Sequence, residues 1–250
     1  EGHSSMGRET FFAKVTWENG WPVIAEGVGH LEEELEIPME ECRLTEEVGA
    51  SDYIQFWDAK LDKRLVSIES LNGETYSLTE RAGMLRLYNR KERIADKNNC
   101  AYFGIRQKSY QFYAETGVEF EPVHEKETAG MVLYQNHANH LRMEIMRRDG
   151  RKCFAVTSCI QGEEKIISVT PMDGNEKITR IRILCDRQKA CVWIQTGEEW
   201  ILCAKDISLL PYTTEEAGGF VGCTIGMYAS ANGVESQNHA DFGWFLQKAL

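Results

Sequence analysis

His137 and His140 stand in an H-x-x-H spacing beside Asn136 and Asn139. Two imidazoles so spaced can begin a metal site, but a closed site needs further donors on a rigid element. The segment falls between two strand-like runs, so a loop is expected and no metal ligand is assigned. Glu119 and Glu121 project from one face of one strand. A carboxylate pair can act as acid and base in glycoside hydrolysis when the two face each other across a bond. The chain has no Glu-x-Asp-x-Glu strand, and the expectation here is an exposed polar face. Asp58 and Asp241 are the residues for a structural calcium where the first and last strands meet, although calcium takes six to eight oxygens. Nucleophile elbow, P-loop and HExxH patterns do not occur. No catalytic residue is therefore assigned. Trp193, Trp200 and Trp244 lie in strand-like runs and are expected in the core rather than on a stacking platform.

The elements that must position these residues show period-2 alternation. Tyr110, Phe112, Ala114, Thr116, Val118 and Phe120 form one face of the longest run, and Gln111, Tyr113, Glu115, Gly117 and Glu119 the other. Further strands are expected at Tyr53–Trp57, Met84–Tyr88, Met131–Gln135, Leu141–Met146, Cys153–Cys159, Ile178–Cys185, Cys191–Gln195, Trp200–Ala204, Phe220–Tyr228 and Ala240–Leu246. Turn signals separate them at Asn72-Gly73, Asp149-Gly150, Asp173-Gly174, Thr196-Gly197 and Asn232-Gly233. Many strands with polar turns predict an all-β jelly-roll sandwich of two antiparallel sheets. Phe11, Ala13, Val15 and Trp17 alternate before Asn19-Gly20, and Trp21–Ile24 can return as a hairpin. The acidic stretch Leu31–Glu47 reads as a solvated linker interrupted by Pro38. The expected domains are 1–37, a hairpin and linker, and 38–250, the sandwich.

The 250 residues carry 28 basic and 39 acidic side chains, a net charge of 28 − 39 = −11. That field repels phosphate backbones and argues against nucleic acid as a partner, while leaving a neutral sugar unaffected. No apolar run of about 18 residues exists to span a membrane. No basic segment followed by an apolar one opens the sequence, and it begins with Glu1. A piece of a longer chain is expected. The eight cysteines, Cys42, Cys100, Cys153, Cys159, Cys185, Cys191, Cys203 and Cys223, show no C-x-x-C spacing. Most sit in apolar runs, where a free thiol behaves as a small hydrophobe, and a reducing, cytoplasmic setting is expected.

Several segments in order resemble the C-terminal concanavalin A-like domain of glycoside hydrolase family 43, in its β-xylosidase/α-arabinofuranosidase branch. They are Tyr102-Phe103-Gly104-Ile105-Arg106-Gln107, Val118-Glu119-Phe120-Glu121-Pro122, Ala129-Gly130-Met131-Val132-Leu133-Tyr134-Gln135-Asn136, Gly218-Gly219-Phe220-Val221-Gly222, Gly226-Met227-Tyr228-Ala229 and Ala240-Asp241-Phe242-Gly243-Trp244-Phe245. Ser77-Leu78-Thr79-Glu80 and Leu85-Arg86-Leu87 fit the family's early strands. Met6–Phe12, Val15-Thr16-Trp17 and Gly20-Trp21-Pro22-Val23 resemble the end of the family's catalytic propeller. Gly243 replaces an Asp of the terminal motif, which weakens a calcium there, and Ile105 replaces a basic residue.

The resemblance implies that residues 1–37 are the tail of a propeller whose three acids lie upstream, that the hairpin packs between propeller and sandwich, and that this chain alone is inactive. It implies a parent hydrolase that trims xylose or arabinose from xylo-oligosaccharides, with the propeller as this domain's partner. It implies no cofactor, and leaves a homo-oligomer open. By the same resemblance Phe220 is the substrate-binding aromatic that narrows the pocket, against a reading in which it starts a core strand. The alternative function is an autonomous, lectin-like carbohydrate-binding module.

Overall fold

The computed structural model describes residues 2–8, 10–36, 51–70, 73–172 and 177–250. Two compact units are distinguished, Glu1–Gly7 with Gly49–Leu250, and Arg8–Val48. The second holds a hairpin of β1 (Val15–Glu18) and β2 (Trp21–Ile24). Asn19 and Gly20 form its turn with φ of 49° and 84°, the left-handed pair that a two-residue hairpin turn requires. Trp17 and Trp21 are exposed. The proposed boundary at Pro38, residues 37–47 of the acidic stretch, Cys42, Asn72 and the Asp173-Gly174 turn lie outside the described residues.

The first unit is a two-sheet antiparallel sandwich. Its strands are β3 (Ser51–Gln55), β4 (Tyr76–Ser77), β5 (Leu85–Tyr88), β6 (Ala101–Arg106), β7 (Gln111–Glu119), β8 (Thr128–Asn136), β9 (Asn139–Arg148) and β10 (Arg151–Ile160). They continue as β11 (Glu163–Pro171), β12 (Thr179–Asp186), β13 (Lys189–Thr196), β14 (Glu199–Ser208), β15 (Thr224–Ser230) and β16 (His239–Ala249), with one short helix, α1 (Thr214–Ala217), before β15. One sheet runs β11-β10-β9-β8-β15-β6. The other runs β14-β13-β12-β7-β16-β5-β4, and β3 pairs with the far half of β16. Non-sequential neighbours such as β3 and β16 bring early and late strands into one sheet.

Alternation along each strand builds the core. Phe103, Met131, Met143, Phe154 and Met227 point inward from the six-stranded sheet and meet Phe112, Phe242 and Phe245 from the eight-stranded one. Each such side chain contributes about 1.5–3 kcal/mol on burial. A second cluster, Ile94, Cys100, Tyr102, Val132 and Tyr228, covers part of the six-stranded sheet's outer face. There the Ile94 amide donates to the Tyr228 hydroxyl at 2.9 Å. The seven described cysteines are all unpaired thiols.

Three expectations change. β6 and β11 are strands that alternation does not mark: β6 is buried on both faces, and most of β11 is exposed at a sheet edge. The strand expected from Phe220 starts only at Thr224. No helix is long and apolar enough to cross a membrane among the described residues.

Candidate functional site

The segment Gly218–Gly222 projects between α1 and β15, and both of its ends are pinned. Asn136 Nδ2 donates to the Ala217 carbonyl at 3.1 Å, and Gln135 Nε2 to the Val221 carbonyl at 2.9 Å. The amino-terminal residues of the same unit close the frame. The Thr214 amide donates to the Ser4 carbonyl at 2.9 Å, the Cys223 amide to the Ser5 carbonyl at 2.7 Å, and Gly7 bridges Val221. Gly222 lies so close to the Met6 backbone that a Cβ there would clash with the Met6 carbonyl oxygen. Beneath the loop the Cys223 thiol donates to the Tyr212 carbonyl at 3.2 Å, and burial pushes it up to about 12. Gly218 and Gly219 take φ of 77° and 88°, conformations that favour glycine. At the crest Phe220 is 65% exposed, so it does not start a core strand.

The carboxylates singled out in the sequence are occupied. Glu119 receives Arg81 at 2.7 Å and Lys177 at 3.3 Å, while Glu121 receives Lys152 at 2.8 Å. They do not form a free pair facing a cleft. Asp241 accepts from Arg81 at 2.9 Å and from Arg86 Nε at 2.7 Å. Burial pushes its carboxyl up, but the two guanidiniums outweigh this and hold it below the usual range. Two arginines already balance the charge of this carboxylate. Asp58 and Asp241 join no group of three His, Cys, Asp or Glu ligands among the described residues.

The tryptophans are half-buried on the outer face of the eight-stranded sheet, a correction to their expected place in the core. Cross-strand register lays Trp244, Gly117, Arg180, Gln195 and Trp200 in one row. Arg182 lies 4.0 Å above the Trp200 ring, and Arg180 lies 5.2 Å from Trp200 and 5.7 Å from Trp244. Buried Glu115 holds both guanidiniums. Arginines therefore occupy ring faces that a sugar would need. This ladder was not legible as a site, because Glu115 and the arginines come from different strands.

On the outer face of the six-stranded sheet lies a polar cleft of about 400 Å³, lined by Arg93, Glu125, Arg142, Glu144, Glu164 and Asn232 among others. Arg142 and Glu144 are buried on its floor, with Arg142 Nε 3.4 Å from Glu144 Oε1. Burial raises the Glu144 carboxyl against the opposing pull of Arg142. Of the H-x-x-H pair, His137 falls in the turn expected, whereas His140 is a fully buried member of β9.

Against this geometry the comparisons are specific. The family profile described as the β-xylosidase C-terminal concanavalin A-like domain matches residues 54–248. A xylosidase/arabinosidase of Butyrivibrio fibrisolvens is 44% identical over 245 residues, 98% of this chain and 47% of that protein. A non-reducing end α-L-arabinofuranosidase of Bacteroides ovatus is 29% identical, over 99% of this chain and 46% of that protein. The solved Bacteroides ovatus xyloglucan PUL GH43B superposes with a TM-score of 0.90 at 27% identity, covering 100% of this chain and 49% of that one. The xylan β-1,4-xylosidase of Bacillus halodurans shares the fold, with a TM-score of 0.88 at 23% identity over 98% of this chain and 48% of that one. The chain spans about half the length of the curated relatives it matches.

Proposed function

The chain belongs to the family of concanavalin A-like C-terminal domains of β-xylosidases in glycoside hydrolase family 43, and from that premise we propose that it completes the substrate pocket of a catalytic propeller in the same parent protein. The parent hydrolase removes xylose or arabinose from short xylo-oligosaccharides, and this domain supplies shape rather than acid or base. Residues 1–37 are the tail of that propeller and 38–250 the sandwich, working in the cytoplasm, where the seven unpaired thiols among the described residues are stable.

One observation carries the reading. The 218–222 loop is anchored at both ends and presents an exposed aromatic ring, Phe220, at its crest. A rigid apolar wall narrows a pocket without taking part in chemistry. The chain alone, assayed on nitrophenyl xyloside and nitrophenyl arabinofuranoside, is expected to stay at background, and turnover well above it overturns the inert role. In the two-domain protein, Phe220→Ala is expected to raise KM for xylobiose several-fold. An unchanged KM removes Phe220 from the pocket.

The second reading, a sugar-binding module, draws on the half-buried Trp200 and Trp244. Arginines over their rings count against it. Titration calorimetry with xylo-oligosaccharides decides: no heat at millimolar ligand removes it.

A further inference from the structure

The hairpin Cys159-Ile160-Gln161-Gly162-Glu163-Glu164 turns on two residues, with φ of 52° at Gln161 and 85° at Gly162. That short turn sets Cys159 directly opposite Glu164 on β11, and the pairing of β10 with β9 sets Cys159 opposite His140. Three different donors thus form one row across adjacent strands. Their donor atoms, one ring nitrogen, Sγ and one carboxylate oxygen, all lie within 4.8 Å of one another.

The second observation is the imidazole. His140 is wholly buried, its ring stacks against Tyr134 with centroids 6.4 Å apart, and its Nδ1 sits 3.4 Å from the Asn136 carbonyl oxygen. Nε2 has no hydrogen-bond partner. A buried, unpartnered ring nitrogen is costly unless something binds it. A histidine that donates one N–H to a carbonyl and keeps the other nitrogen bare has the arrangement of a metal ligand.

We propose that His140, Cys159 and Glu164 bind a zinc ion, with water as the fourth ligand, as a clip across β9, β10 and β11. Imidazole, thiolate and carboxylate are the donors zinc selects. Around a tetrahedral zinc such donors stand roughly 3.3–3.6 Å apart. The widest pair therefore closes by about 1 Å, within reach of side-chain torsions on paired strands. Glu164 Oε2 already accepts from Arg142 at 2.8 Å, which orients the carboxylate and leaves it a second oxygen. Glu164 is exposed at the sheet edge, so the ion has a way in.

On binding, the Cys159 S–H bond breaks, a Zn–S bond forms and the proton goes to solvent. The thiol then gives up its 3.4 Å bond to the Ala138 carbonyl. Thiolate and carboxylate together neutralise the dication. Arg142 remains beside Glu144. Burial, with the Arg142 charge, pushes His140 down to about 3, so it meets the metal neutral. Burial, with the Glu164 charge, holds the Cys159 thiol above its ordinary value, so zinc must displace a proton.

The test uses the untagged chain, with zinc chloride and then cobalt chloride as probes. Expected are one zinc per chain with micromolar or tighter affinity, and a near-ultraviolet thiolate-to-cobalt band. Cys159→Ala should abolish the band, and Glu164→Gln, at an exposed position, should weaken zinc at least tenfold. Cys153→Ala, six residues back on the same strand, should change neither. A wild-type chain with no cobalt band overturns the proposal without reference to any variant. So does zinc affinity that is unchanged in Glu164→Gln and Cys159→Ala, or lost equally in Cys153→Ala.

Discussion

The outer face of the eight-stranded sheet and the outer face of the six-stranded sheet both bury charge, and they resolve it in opposite ways. On the first, each buried carboxylate takes two arginines: Glu115 holds Arg180 and Arg182, and Asp241 holds Arg81 and Arg86. On the second, one buried arginine serves two carboxylates, with Arg142 lying 3.4 Å from Glu144 and 2.8 Å from Glu164. Arg142 Nε, Glu144 Oε2 and His140 Nε2 are left without hydrogen-bond partners. Satisfied buried networks rigidify a fold, while each unpartnered buried polar group is costly. The difference separates a face whose buried charges are satisfied within the protein from one that keeps unpartnered polar atoms.

The largest expected effect breaks the cohesive face. Glu115→Ala leaves Arg180 and Arg182 half-buried without their shared anion. The expected loss is about 3 kcal/mol, at the lower end for breaking a buried pair because both arginines reach solvent. Urea unfolding at neutral pH measures it, and a loss below about 1 kcal/mol would show that the ladder is ornamental. Asp241→Asn adds a pH signature. Its carboxyl is held below the ordinary range, so the unfolded chain binds the proton more readily. The stabilisation is present above about pH 4 and lost as pH falls through the depressed value. Wild type and Asp241→Asn should therefore differ at pH 7 by about 1–3 kcal/mol and converge in strong acid.

Glu144→Gln sharpens the contrast from the other face. Burial raises this carboxyl, so its ionised form costs stability at neutral pH and the cost is relieved as pH falls. The amide should be neutral or stabilising by about 1 kcal/mol at pH 7, with the gain shrinking toward acid. Melting temperature across pH reads it. A loss above about 2 kcal/mol at pH 7 would place Glu144 in a satisfied network and remove the distinction between the faces.

Much of the sandwich was legible because half-buried strands alternate. β12 repeats inward Ile181, Ile183 and Cys185 against outward Arg180, Arg182 and Leu184. β6 hides because both its faces are covered, and β11 because an exposed edge strand needs no apolar period. The turn before β11 also lacked a signal: Gln161-Gly162 adopts the geometry of an Asn-Gly turn without its residues. Sequence alone places Trp200 and Trp244 in the core because strand membership does not say which face a side chain takes. Register with Arg180 decides that, and register is a property of pairing. The His140–Cys159–Glu164 row was hidden for the same reason. Its members come from three strands, and the sequence-adjacent His137 is not among them.

Phe220 belongs to neither face, and it gives the smallest stability change expected. Its ring is 65% exposed on a loop held by backbone contacts of its neighbours. Removing it should cost no more than about 0.5 kcal/mol. That small number is informative beside the Glu115 result, because it separates a side chain that holds the fold from one that is only presented by it. Chemical denaturation of Phe220→Ala reads the stability half and xylobiose kinetics in the two-domain protein reads the other. A loss above about 2 kcal/mol would make the ring a packing element, and the loop would then be a third cohesive region rather than a wall presented to a pocket.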